Sequence, residues 1–286
     1  RLLNALAPVY GIHGREVHSS ASIGIVTSEQ CMDSPEEVIR NADVAMYEAK
    51  RSGRACSAVF NEAMHTRLTR HVTIESGLRK ALGTSQLSLA YQPIVELTTG
   101  RMTSAEALLR WNHPELGAVS PAEFVPVAER SGQIIDIGQW VLHAACRQLR
   151  AWADAGHDDI VLAVNVSARQ LRRGLPAEVE AALAASGADP AALEIEITEH
   201  SMVEDIDSNV AQLSALRERG LKVVVDDFGT GLSSLAYLKR LPINKLKIDR
   251  TFVKDLPQGG DDAAIVAAIA SMARSLHLTL VAEGVE

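Results

Sequence analysis

From Gly83 onward the chain alternates short apolar runs with longer stretches of helical spacing. Runs of β-branched and aliphatic residues predict strands at 87–95, 102–110, 160–166, 193–198, 222–226, 245–249 and 279–283. Apolar positions recurring every three to four residues predict helices near 122–130, 134–156, 176–186, 204–219, 232–240 and 261–276. Strands that are apolar on both faces and joined by helical crossovers imply a parallel sheet with helices outside it. In nearly every strand the polar residue comes late: Glu106, Asn165, Glu196, Lys247 and Glu283 each close an apolar run, and Asp226 and Asp227 together close Leu221, Val223, Val224 and Val225. Functional groups drawn from the carboxyl ends of many strands predict an α/β fold of the TIM-like (β/α) barrel type, whereas an open doubly wound sheet draws on one switch point.

The first 60 residues carry a smaller βαβ-like pattern, a partial α/β unit. It comprises a strand at 19–26, a helix at 35–51 with Val38, Ala42, Ala45, Met46 and Ala49 on its apolar face, and a second strand at 55–60. Asn61 is placed to cap a helix reaching Leu82 and stopped by Gly83. The expected organisation is thus 1–60, a linking helix at 61–83, and a larger domain at 84–286.

Composition narrows the function. Of 286 residues, 47% are hydrophobic, and mean hydropathy is +0.05, as in a folded protein with a substantial core. A net charge of −8 argues against a nucleic-acid polymer as partner, because phosphate backbones recruit basic surfaces. The longest apolar stretch, from Ala263 to Ala273, is too short to span a bilayer. The chain opens at Arg1 without a leader, so a cytoplasmic fragment is expected, which leaves room upstream for sensor or membrane segments of the whole protein. Cys31, Cys56 and Cys146 have neither disulfide nor ligand spacing and are expected to be reduced.

The nine histidines show no zinc-binding spacing, so any metal is expected on oxygen ligands, favouring Mg²⁺ or Mn²⁺. Desolvating the adjacent carboxylates of Asp226 and Asp227 is costly unless a cation neutralises them. Phosphodiester hydrolysis by two metals needs two divalent cations with a shared carboxylate and terminal oxygen ligands. Glu106, Asn165, Glu196, Asp226, Asp227 and Glu283 supply that set, and Lys247 adds a compact positive charge. Strand alternation sets Glu199 on the opposite face from Glu196, as a support residue, and leaves Glu194 structural. The segment Gly229-Thr230-Gly231 before Ser233-Ser234 reads as a phosphate cradle or a tight turn. Asp227-Phe228-Gly229 lacks every companion of a kinase site, and Gly259-Gly260-Asp261-Asp262 reads as a turn and helix cap rather than a cyclase signature.

With those residues assembled, 84–286 closely resembles the EAL family of cyclic di-GMP phosphodiesterases. The matching segments are Tyr91-Gln92-Pro93-Ile94-Val95, Glu106-Ala107-Leu108-Leu109-Arg110-Trp111, Val164-Asn165-Val166-Ser167, Glu196-Ile197-Thr198-Glu199, Asp226-Asp227-Phe228-Gly229-Thr230-Gly231, Lys245-Leu246-Lys247-Ile248-Asp249 and Ala282-Glu283-Gly284-Val285-Glu286. The resemblance implies hydrolysis of cyclic di-GMP to linear pGpG with two Mg²⁺ or Mn²⁺ ions. Metal ligands are implied at Glu106, Asn165, Glu196, Asp226, Asp227 and Glu283. A lysine beside the attacking water is implied at Lys247, a loop-stabilising glutamate at Glu199, and substrate contacts at Gln92, Arg110 and Asp249. A homodimer through this domain is implied as well. Residues 1–60 resemble the carboxyl-terminal part of a GGDEF domain, through Ala21-Ser22-Ile23-Gly24 and Ala42-Asp43-Val44-Ala45-Met46-Tyr47-Glu48-Ala49-Lys50. An upstream GGDEF or sensor region is therefore expected in cis.

Leu232 departs from the family, which often has an aromatic residue there. The chain also ends at the seventh counted barrel strand, so the barrel is expected to be truncated before its last strand, and this piece alone to be weakly stable and weakly active. The main rival reading is a non-catalytic cyclic di-GMP receptor signalling through the 61–82 helix. Receptors usually lack a metal ligand, and here every ligand position is filled.

Overall fold

Seven of the predicted strands form one curled sheet, with the short strand Gly117–Val119 paired to Met102–His113 outside the main path. The structure, a computed structural model, describes residues 1–27, 34–203, 205–230, 238–254, 256 and 260–285. The chain divides into two compact units, Arg1–Ser76 and Gly77–Glu286.

In the first unit, β1 (Tyr10–Ile12) and β2 (Arg15–Val17) form an antiparallel hairpin that the sequence reading missed. β3 (Ile23–Ile25) and β4 (Ser57–Val59) pair in parallel through the helix Pro35–Arg51, giving the predicted βαβ order with shorter strands. Ser34 caps that helix by accepting from the Glu37 N–H at 3.2 Å. Its buried stripe is Asn41, Val44, Ala45 and Ala49; Val38, expected inside, is 41% exposed because it lies a turn too early for the Phe60 and Met64 cluster. The strand meets the helix at Gly24, where a Cβ would overlap the Ala42 carbonyl. Gly24→Ala is therefore expected to destabilise this unit by about 1–3 kcal/mol, measurable by urea unfolding. The helix Glu62–Ala81 follows, and Asn61 accepts from the Met64 N–H at 3.2 Å as a cap.

In the second unit the strands are β5 (Leu87–Val95), β6 (Met102–His113), β7 (Gly117–Val119), β8 (Val161–Asn165), β9 (Leu193–Thr198), β10 (Lys222–Phe228), β11 (Lys245–Ile248) and β12 (Thr279–Ala282). From β6 through β8, β9, β10, β11 and β12 every neighbouring pair is parallel. The expectation of an all-parallel sheet fails at one edge, where β5 runs antiparallel to β6. Only six residues separate these strands, too few for a helical crossover, and the Glu96 and Arg101 backbones close a hairpin instead. The curled sheet belongs to the TIM-like barrel class, and among the described residues its end strands β5 and β12 are not paired with each other.

Outer helices match the predicted positions at Pro121–Ser131, Ile134–Asp154, Leu175–Ser186, Ile206–Glu218 and Asp261–Ser275; the helix expected at 232–240 falls largely outside the described residues. The helix Ile134–Asp154 buries Ile137, Val141, Leu142, Ala145, Cys146 and Leu149, one stripe at helical spacing. Cys56 and Cys146 are free thiols, and Cys31 lies outside the described residues. β9 is buried along nearly its whole length, as expected of a strand covered on both faces. Among the described residues no helix is long and apolar enough to cross a membrane.

Candidate active site

The parallel register aligns the late polar residues at one end of the sheet. Asn165 on β8 lies opposite Glu196 on β9, and Glu196 lies opposite Val224 on β10. Side chains alternate along a strand, so Glu196, Asp226 and Lys247 point to the concave face, and Glu106 and Glu283 reach it from β6 and from just beyond β12. They converge on the Lys247 ammonium. Its Nζ is 2.8 Å from Glu283, 3.0 Å from Glu106, 3.1 Å from Glu196 and 3.2 Å from Asp226. Lys247 is 2% exposed, so four carboxylates share one buried cation.

A regular strand would send Asp226 and Asp227 to opposite faces. The β10–β11 register shifts between Val225 and Phe228, and Asp227 takes a left-handed backbone, φ +53°. This bulge turns both carboxyls into one cavity, at the cost of a conformation that Asp tolerates better than most residues. Two triads result, Glu106–Glu196–Asp226 and Asp226–Asp227–Glu283, each with ligand oxygens within 4.8 Å of one another. Asp226 belongs to both. Asn165 donates from Nδ2 to Glu106 at 2.7 Å.

Charge accounting explains the protonation pattern. Burial would lower the Lys247 pKa, but the charges of Glu196, Asp226 and Glu106 overcome it and hold the ammonium well above its ordinary range. One ammonium cannot neutralise the surrounding acids, so the rest of the imbalance appears as bound protons. Burial first, and then the neighbouring Glu106 and Asp226 carboxylates, push Glu196 up to about 8 against the pull of Lys247. Burial likewise raises Glu283, and burial with the Asp226 and Asp249 charges raises Asp227. A carboxyl raised in the fold holds a proton that the unfolded chain has released, so unfolding sheds protons and stability falls with rising pH. In EDTA the melting temperature is expected to drop between about pH 5 and 8, and saturating Mn²⁺, which displaces those protons, to flatten the profile. A melting temperature that rises across this range in EDTA would contradict it.

Glu199 opens the helix Glu199–Val203 instead of continuing the strand, which corrects its expected placement on the opposite strand face. It is buried and accepts the Gly229 N–H at 2.9 Å, tying itself to the loop after Asp227. Asp249 caps the helix Arg250–Val253 by accepting from Thr251 N–H at 2.8 Å, and it shares a hydrogen bond with Asp227. Burial opposes its ionisation, but the Thr251 hydroxyl and N–H hold its pKa below the usual carboxylate range. Gln92 is exposed in register with Glu106 across β5–β6. Arg110 is exposed on β6 and donates to the Leu109 carbonyl at 3.1 Å; among the described residues no ion pair joins it to the acidic cluster. Gly229 and Thr230 are described, with Thr230 Oγ1 donating to the Asp227 carbonyl, whereas Gly231 through Ser234 and Leu232 lie outside the described residues. The decoy segment resolves as a cap, since Gly260 precedes the helix beginning at Asp261; Gly259 lies outside the described residues.

Two features escaped the sequence reading. One is the Asp227–Asp249 link. The other is a second buried charge layer, in which Lys245 pairs with Glu194 at 2.7 Å, two residues before Lys247 and Glu196. The repeated spacing Glu194/Glu196 and Lys245/Lys247 was its visible signal.

The donor set, five carboxylates and an amide without thiolate or imidazole, is that of a hard divalent cation, and its negative charge exceeds what Lys247 supplies. Fold and site together define a barrel-type α/β protein with a cluster of acidic side chains around one lysine at its strand ends. The family model described as EAL domain matches residues 75–286, and that described as diguanylate cyclase, GGDEF domain matches 1–56. The chain belongs to the EAL-domain family. It is 45% identical over 287 residues to the bifunctional diguanylate cyclase/cyclic di-GMP phosphodiesterase MucR of Pseudomonas aeruginosa, with all of this chain aligned to 42% of that protein. It is 41% identical over 287 residues to the cyclic di-GMP phosphodiesterase NbdA of the same organism, again over its whole length and 37% of the relative. The chain thus spans less than half of these relatives. The solved PaMucR phosphodiesterase in its c-di-GMP complex superposes with a TM-score of 0.72 at 48% identity, over 75% of this chain and 87% of that one.

Proposed function

We propose that this chain hydrolyses cyclic di-GMP to linear pGpG, using two Mg²⁺ or Mn²⁺ ions. The observation that carries the reading is the convergence of Glu106, Glu196, Asp226 and Glu283, from three strands and the end of a fourth, onto the buried Lys247 ammonium, with two acidic triads sharing Asp226. Glu106, Asn165, Glu196, Asp226, Asp227 and Glu283 would hold the ions. Divalent cations bound there supply Lewis acidity, activating water and neutralising charge on the phosphoryl oxygens. Lys247 supplies a fixed ammonium to the phosphate charge that develops as the bond breaks. Arg110, exposed, offers its planar fork of donors to a phosphate, and Gln92 and Asp249 contact the rest of the dinucleotide. The close relatives' names and the solved complex with c-di-GMP support this substrate.

Glu199 acts on the loop rather than on substrate. Glu199→Ala frees the Gly229 N–H and is expected to lower turnover about 10–100-fold, the usual consequence of losing a partner behind a metal ligand, while circular dichroism stays unchanged. In the whole protein, the region matching a GGDEF domain lies in cis, the helix Glu62–Ala81 links it to the EAL domain, two copies pair through that domain, and the site faces the cytoplasm. The deciding experiment measures pGpG from cyclic di-GMP with Mn²⁺, with EDTA, and with Glu106→Ala. Binding without turnover in the unaltered protein would assign it instead to the receptors.

A further inference from the structure

Glycine inside an α-helix forfeits backbone entropy and side-chain packing, so its presence there calls for a steric reason. Gly138, buried in the helix Ile134–Asp154, has one: a Cβ at this position would overlap the carboxamide of Gln170. Gln170 is itself 2% exposed, and its Nε2 has no hydrogen-bond partner among the described residues. The other end of that amide is fully used. Gln170 Oε1 accepts from the Ser167 N–H and the Ser167 hydroxyl, both at 3.1 Å, while Ser167 Oγ accepts from the Gln170 N–H at 3.3 Å. This reciprocal box rigidifies the turn that begins two residues after Asn165.

β8 therefore runs directly into two successive anchors. At the first, the Val166 N–H bonds to the Glu196 carbonyl at 2.8 Å. At the second, the Ser167 turn is pinned by an amide wedged into the slot that Gly138 leaves open. Asn165, immediately before these two anchored residues, directs its carboxamide onto Glu106 at 2.7 Å. We propose that Gln170, seated against Gly138, is a positioning residue that fixes Asn165 and through it Glu106 for cation binding. The inference rests on the phosphodiesterase reading for its purpose, and on packing and hydrogen bonds for its mechanism.

The test uses the whole chain with Gly138→Ala, Gln170→Ala, Ser167→Ala and the Gly138→Ala/Gln170→Ala double variant. Free Mn²⁺ is titrated by electron paramagnetic resonance, beside thermal melts and cyclic di-GMP hydrolysis. Gly138→Ala is expected to weaken Mn²⁺ binding by about 10–100-fold and lower kcat similarly with KM little changed. The double variant is expected to match Gln170→Ala alone, because the clash has no target once the amide is gone. Should Gly138→Ala prevent folding, Ser167→Ala, which opens the box without adding an atom, decides the question through the same Mn²⁺ titration. A lowered melting temperature with unchanged Mn²⁺ affinity, or additive effects in the double variant, overturns the proposal. An unaltered chain that binds Mn²⁺ but leaves cyclic di-GMP intact overturns the enzymatic reading alone, and the Mn²⁺ titration still decides the role of Gln170. A chain that binds no Mn²⁺ overturns both.

Discussion

Asp226→Asn is expected to abolish hydrolysis of cyclic di-GMP, by at least about 10³-fold or roughly 4 kcal/mol of barrier. Asp226 is the one acid common to both triads, so removing its charge would weaken both proposed cation positions at once. The substitution keeps the shape of the side chain and leaves Lys247 with Glu106, Glu196 and Glu283, so the fold is expected to persist. Mn²⁺ titration and chromatographic detection of pGpG check the two halves separately. A variant that retains more than a tenth of the parent rate would show that the shared carboxylate is dispensable.

Lys247→Met is expected to have its largest effect when no divalent ion is present. Removing one partner from a buried ionic group leaves the others uncompensated, at a cost of about 3–5 kcal/mol. The carboxyls of Glu196 and Glu283, already disposed to hold protons, offset part of that cost by taking up more. Saturating Mn²⁺ restores countercharge, so the variant is expected to gain more stability from Mn²⁺ than the parent does, while hydrolysis stays lost. Urea unfolding in EDTA and in Mn²⁺ measures both quantities. Equal stability of parent and variant in EDTA would rule out the ammonium as the internal counter-ion of the cluster.

Much of the fold was legible because burial on two faces leaves an unmistakable pattern. Leu193–Thr198 and Lys222–Asp226 are read as strands from their apolar runs, and Asn61 and Gly83 mark the two ends of one helix by known chemistry. The antiparallel edge was legible in principle, since the short connection between Val95 and Met102 leaves no room for a crossover, yet the parallel pattern of the remaining strands prevailed in the reading. Val38 was misplaced because helical spacing gives a stripe but not how far along it the packed neighbours reach. At the site, residue types and strand ends identified the acids and Lys247. What no spacing rule supplied was the bulge at Asp227, which depends on a left-handed backbone. Nor could it supply the seat for Gln170, which depends on an atom that Gly138 lacks.

The acidic cluster around Lys247 is held together by contacts between distant parts of the chain: Lys247 meets Glu106 across 141 positions and Glu196 across 51. Contacts of such long range are made late in folding, after local helices have formed and chain entropy has been spent. Recovery of turnover after dilution from denaturant should therefore lag behind recovery of helical signal, which makes catalysis a reporter of the last docking events rather than of early collapse.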